Sequence, residues 1–224
     1  MLASVEAEAP DELWCLGDLV GYGPRPNECC AAIAARADVC LAGNHDLAVR
    51  GTIDLAEFHG DAAVAASWTR RVLEPEARSL LERLEPAGRA HGVALYHGSA
   101  RDPVWEYVLS DEAALATLAL ADSPLVLVGH SHVALLVVAS EQGVAGGLAA
   151  AGTEAEIGGG RALLNPGSVG QPRDGDPRAA YLLLDLDAGR ASFRRVAYDV
   201  ERTQREMRAA GLPELLAARL ELGQ

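Results

Sequence analysis

The chain has 224 residues, half of them hydrophobic, and 32 acidic against 19 basic side chains give a formal net charge of −13. That balance excludes a nucleic-acid polymer or an anionic membrane surface as an electrostatic partner. No apolar run approaches the roughly 20 residues of a membrane span, and the length suits one domain, 1–224, with a core that is largely aliphatic because only 4% of residues are aromatic.

Residues 1–8 read as the end of a helix broken at Pro10. A short buried strand over 13–16 stops at Gly17-Asp18, and a loop rich in glycine and proline runs to Pro26. A helix is predicted over 27–37 and a second buried strand over 39–42; strand, helix, strand implies parallel pairing with a right-handed crossover. Asp54 is expected to cap a helix reaching Leu73, and Pro75 to open another ending at Leu84. A strand over 93–96 precedes an irregular stretch; Asp111 is expected to cap a helix through Ala121, before a fully apolar strand over 125–128. Closely spaced strands follow at 133–139, 148–152, 162–164, 180–186 and 191–197, then a helix over 201–210 and an amphipathic piece from Pro213. Cys15, Cys29, Cys30 and Cys40 fit no zinc spacing and read as buried free thiols of a reducing, cytoplasmic compartment. The first residues carry neither the basic region nor the apolar run of a signal peptide.

Four strand ends share one chemistry. They read Gly17-Asp18, Gly43-Asn44-His45-Asp46, His97-Gly98 and Gly129-His130-Ser131-His132, and four of the six histidines lie among them. In a parallel sheet such ends converge on one edge. A carboxylate, an amide oxygen and three imidazoles suit Mn²⁺, Fe²⁺, Zn²⁺ or Ni²⁺, and the lack of a thiolate disfavours a structural zinc site. A bland reading also exists, in which Asn44-His45-Asp46 is a polar turn and Asp18 and Asp46 merely cap helices.

Taken in order with 165–170, Asn-Pro-Gly-Ser-Val-Gly, these pieces carry a family likeness. Over residues 11–185 the chain resembles the calcineurin-like metallophosphoesterases, in the branch of small prokaryotic phosphodiesterases. The resemblance implies a four-layer α/β/β/α sandwich of two mixed sheets, with the site at the strand C-terminal ends and two divalent metal ions, Mn²⁺ favoured. Asp18 would bridge the metals, Asn44, His97 and His130 would complete one of them, and His132 would serve the other. His45 would be the general acid rather than a ligand, oriented by Asp46. Attack by a metal-bridging hydroxide would cleave a small phosphoester, a phosphodiester first and a dinucleoside polyphosphate second.

The likeness has a gap. The family opens with a strand ending in Asp-x-His, and no such motif precedes Asp18. The expectation is that roughly twenty residues, the first strand and most of the first helix, lie upstream of Met1. Without them the second metal keeps only Asp18 and His132, and an exposed sheet edge would favour a homo-oligomer. The rival function is a metal-poor binding module of the same fold, against which His45 speaks, since a scaffold has no use for it. Arg25 and Arg173 could hold a substrate phosphate through forked donors. His59 and His91 read as ordinary residues, and Trp68 and Trp105 as packing anchors.

Overall fold

The computed structural model describes residues 1–141 and 143–224. Helix α1 (Leu2–Ala7) leads to β1 (Trp14–Cys15), α2 (Pro26–Ala34) and β2 (Val39–Cys40). β1 and β2 pair in parallel with Trp14 opposite Val39, as the strand–helix–strand pattern predicts. Helix α3 (Asn44–Arg50) follows directly. The helix expected over 54–73 is divided. Asp54 caps only a 3-10 turn, Leu55–Glu57, because His59 is extended and Gly60 sits at φ +54, and α4 (Gly60–Val72) starts anew there. Helix α5 (Pro75–Leu81) ends short of Leu84, where the Arg50 guanidinium donates to the carbonyls of Leu81, Glu82 and Leu84. Those are the orphan acceptors of a helix end.

A strand absent from the sequence reading, β3 (Ala87–Ala90), forms a hairpin with β4 (Val93–Tyr96) across His91-Gly92. Helix α6 (Asp111–Leu120) is capped not by Asp111 but by the Ser110 hydroxyl, which accepts the Ala113 amide. Strands β5 (Leu125–Val128), β6 (Ala134–Ser140), β7 (Gly143–Leu148), β8 (Glu154–Glu156), β9 (Arg161–Pro166), β10 (Ala179–Asp185) and β11 (Arg190–Val196) follow, then α7 (Val200–Ala209), α8 (Glu214–Ala218) and a closing 3-10 turn, Arg219–Leu222. The strand expected over 148–152 lies instead at β7, with Leu148 as its last residue.

Six strands form one mixed sheet in the order β3-β4-β5-β9-β6-β7, with β4, β5 and β9 parallel. Where a single second sheet was expected, the described residues form two smaller ones: the parallel β1–β2 pair and an antiparallel β10-β11-β8 trio. Alternation in the central strands explains the layering. Leu95, Leu127 and Leu164 face Phe193, Leu182 and Trp14 across the space between the sheets. Ala94, Val126 and Leu163 face the opposite way and bury Ala114 and Leu118 of α6. Strands covered on both faces read as unbroken apolar runs. On the far side of β1–β2, Ala42 packs with Leu47 of α3, Cys30 of α2 and Leu81 of α5.

Among the described residues, the outer edges of β1 and β10 pair with no other strand. Between them lies an open groove of about 1340 Å³, lined by Trp14, Leu16, Leu182 and Leu184, which opens toward Asp18 and His97. Ser4 of α1 reaches Tyr181 of β10 at 3.0 Å, and Glu6 accepts from Arg36 beyond α2, so α1 is tied to both sides. The thiols are free, but only Cys30 is buried and Cys29 is exposed, a correction to the expectation of four buried ones.

Behind the 171–174 loop, Arg195 of β11 pairs with Asp174, and both are almost wholly shielded from solvent. Asp174 also accepts the Ala134 amide. Arg195→Met therefore strands a buried carboxylate and is expected to destabilise the protein by about 3–5 kcal/mol in urea unfolding; a loss under 1 kcal/mol would show that water reaches Asp174.

Candidate metal centre and phosphoester site

The parallel directions of β1–β2 and β4–β5 bring four strand ends together. Asp18 follows β1, Asn44 begins α3 immediately beyond β2, His97 follows β4 and His130 follows β5. His97 Nε2 stands 3.2 Å from Asn44 Oδ1, 3.2 Å from His130 Nδ1 and 3.6 Å from Asp18 Oδ2. Ligand atoms of Asp18, His97 and His130 all lie within 4.8 Å of one another.

The backbone decides which ring nitrogens carry protons. His97 Nδ1 donates to the Leu16 carbonyl at 2.8 Å, so its Nε2 is bare. His130 Nε2 donates to the Trp105 carbonyl at 3.2 Å, leaving Nδ1 bare. His132 Nδ1 donates to the Gln171 carbonyl at 2.8 Å, leaving Nε2 bare. With Asp18 ionised, the facing atoms of His97, His130, Asn44 and Asp18 are four acceptors with no proton among them. Lone pairs turned on each other at hydrogen-bond distance repel, unless a cation sits between them. The donor set fits a divalent ion.

Electrostatics agree with that fit. Burial holds the His97 imidazole down to about 4, and burial together with His97 holds His130 down to about 3. His132 is also pushed well down, by burial and then by Arg173. All three are neutral at pH 7, the form in which an imidazole can bind a metal. Burial pushes Asp18 up to about 7 despite the His45 amide and Arg173. A dication at this point would restore the carboxylate.

Close approach makes two glycines obligatory. A Cβ on Gly43 would stand 1.9 Å from Asp18 Oδ1, and one on Gly17, at φ +94, would stand 2.9 Å from His97 Nδ1. Asp18, His130 and His132 themselves hold φ of 54, 58 and 59°, the left-handed region that few non-glycine residues occupy, Asp and His more often than most. Asn165 in β9 braces the last two: its amide donates to the Gly129 carbonyl and to the Ser131 hydroxyl. The irregular 99–107 segment is ordered by Ser99 and Asp102. The Asp102 carboxylate accepts the Val104 and Trp105 amides, which sets the Trp105 carbonyl under His130. Tyr107 stacks on the His130 ring at 4.1 Å.

His45 lies beside this cluster, with its ring against Tyr22 at 4.4 Å and Phe58 at 4.8 Å. Among the described residues its buried Nδ1 has no hydrogen-bond partner, and burial, followed by the surrounding His97 and Arg173, holds it down to about 3. Asp46 does not orient it, contrary to the sequence reading. That carboxylate instead accepts the amides of Leu19, Val20 and Gly43, fastening the 17–21 loop to the start of α3. The bland reading is correct for Asp46, whereas Asp18 joins the cluster.

Of the remaining predicted residues, His132 stands outside the tight group but within electrostatic range of His45 and His97. Arg173 is at the site: its charge acts on Asp18, His45 and His130. Arg25 donates its Nε and Nη2 to Glu206 of α7. Sequence reasoning missed Arg219, Gln171, Tyr22 and the Trp105 carbonyl. Arg219 comes from a C-terminal segment with no motif, and a backbone carbonyl leaves no mark in a sequence.

The sequence profile of the calcineurin-like phosphoesterase superfamily domain matches residues 1–189. An uncharacterized protein of Methanocaldococcus jannaschii is 34% identical over 229 residues, covering all of this chain and 91% of its own length. The crystal structure of a metallophosphoesterase from Sphaerobacter thermophilus superposes with a TM-score of 0.89 at 42% identity, covering the whole of this chain and 93% of that one. A hypothetical protein of Pyrococcus horikoshii shares the fold, with a TM-score of 0.78 at 20% identity over the whole of this chain and 90% of that one.

Proposed function

As the chain belongs to the calcineurin-like phosphoesterase superfamily, a metal-dependent family, we propose that it is a phosphodiesterase acting on a small phosphoester. The observation that carries the reading is the set of four converging acceptors without a donor. Asp18, Asn44, His97 and His130 would hold one divalent ion, and mixed oxygen and imidazole donors suit Mn²⁺, Fe²⁺, Zn²⁺ or Ni²⁺. Asp18 and His132 are what this chain offers to a second. When bound, such ions supply positive charge to the phosphoryl oxygens and lower the pKa of water near neutrality.

The protein's own groups do the rest. Arg173 lends positive charge to the site, felt at Asp18, His45 and His130, which favours an anionic ester there. The edges of Tyr22 and Phe58 dry the His45 ring, and a dry site strengthens each polar contact made within it. His45 is neutral in the free protein and offers an N–H to the ester oxygen. A bound phosphate anion favours its protonated form, so the proton for the leaving oxygen is gained with the substrate.

Hydrolysis of bis(p-nitrophenyl) phosphate and of p-nitrophenyl phosphate, after EDTA treatment and readdition of Mn²⁺, tests this. The expected result is metal-dependent turnover, faster for the diester. A faster monoester would make the protein a phosphatase, and silence toward both with Mn²⁺ bound would favour a binding module.

A further inference from the structure

We propose that Arg173 and Arg219 form a separate anion subsite beside His45, so that the favoured substrate carries a second phosphate in addition to the phosphodiester that is cleaved. The inference rests on the phosphodiesterase reading and names the substrate class for the same site.

The two arginines arrive from distant parts of the chain. Arg173 lies between β9 and β10, while Arg219 opens the last 3-10 turn, thirty residues past the end of the family match at 189. Both donate an Nη2 to the same oxygen, Gln171 Oε1. Both guanidinia lie over the Tyr22 ring, 5.7 and 5.0 Å from its centre. Two like charges thus share one neutral acceptor and one aromatic ring. Neither has a carboxylate within 4.0 Å among the described residues, and the Nε of each is buried without a partner.

This happens in a chain of net charge −13, where Arg25, Arg195 and Arg208 each have a carboxylate partner. Juxtaposed guanidinia repel, and the arrangement is favourable once an anion joins them. Two forks with free N–H groups suit a dianionic phosphate. The pair is also fixed relative to the chemistry. The Arg173 amide donates to the His132 carbonyl at 3.0 Å, His132 Nδ1 donates to the Gln171 carbonyl, and the charge of Arg219 is felt at His45.

The test compares thymidine 5′-(p-nitrophenyl phosphate) with and without a 3′-phosphate. The unchanged protein is expected to favour the 3′-phosphorylated diester by about tenfold or more in kcat/KM, equivalent to about 1.4 kcal/mol. In Arg219→Gln that ratio collapses toward one, and Arg219→Lys, which keeps the charge, retains part of it. Equal losses on both diesters would mean that the arginines hold the scissile group itself and would overturn the proposal. Calorimetry with inorganic pyrophosphate in EDTA gives a readout independent of turnover. Binding that weakens about tenfold or more in Arg219→Gln supports the subsite even if neither diester is hydrolysed; no pyrophosphate binding overturns it whatever the hydrolysis shows.

Discussion

Replacing His45 with glutamine lowers kcat toward a p-nitrophenyl phosphodiester by about 10²–10⁴-fold, the range of a lost acid–base group, while Mn²⁺ content stays at that of the unchanged protein. The ring lies beside the acceptor cluster, not in it, and among the described residues its Nδ1 bonds no other group. Glutamine keeps an amide N–H but cannot release a proton to the leaving oxygen. The loss should shrink for esters whose leaving group is already a stable anion, since these need no proton. Metal analysis alongside the kinetics separates the roles: if Mn²⁺ disappears with the activity, His45 is a ligand and the assignment fails.

Asp18→Asn is expected to abolish both turnover and tight Mn²⁺ binding. Asparagine can still accept the His45 amide at the position of Oδ1, which lies 3.0 Å from that nitrogen, so α3 keeps its place. What goes is the carboxylate of the cluster, and with it the charge that best compensates a dication. Titration calorimetry with Mn²⁺ should show affinity reduced by more than about 100-fold, beyond the 10–100-fold typical of losing an outer-sphere partner. The metal-free variant should unfold at the same or a higher temperature, because burying a neutral amide costs less than burying a carboxylate. Unchanged Mn²⁺ affinity would remove Asp18 from the centre.

The sequence carried most of what fixes these two residues. Short apolar strands ending in glycine beside Asp18, Asn44, His97 and His130 were readable, because parallel strands buried on both faces leave unbroken aliphatic runs and polar ends. Chain order then supplied the family. Less readable were contacts set by tertiary packing. Asp46 looks in sequence like a partner for its neighbour His45, yet three backbone amides converge on it from two loops. The helix over 54–73 had sound periodicity, and only the extended backbone at His59 divides it. Strand β3 was missed because Ala87-Gly88-Arg89-Ala90 has little intrinsic β preference and exists through pairing with β4. Arg219 was invisible because nothing local distinguishes a surface arginine from one delivered to a site by a distant fold-back.

The acceptors of the metal cluster are divided between layers: Asp18 and Asn44 stand at the ends of the β1–β2 pair, His97 and His130 on the six-stranded sheet. The β1–β2 pair has only two residues in each strand, and the outer edge of β1 borders the open groove. A cation held by all four side chains would therefore act as a cross-brace, riveting the least supported part of the fold to the best supported. Local opening of the pair would break coordination, so binding free energy becomes resistance to that opening. Amide exchange at Leu41, whose N–H is held by the Cys15 carbonyl across the pair, should slow on adding Mn²⁺ far more than exchange in β5 or β9.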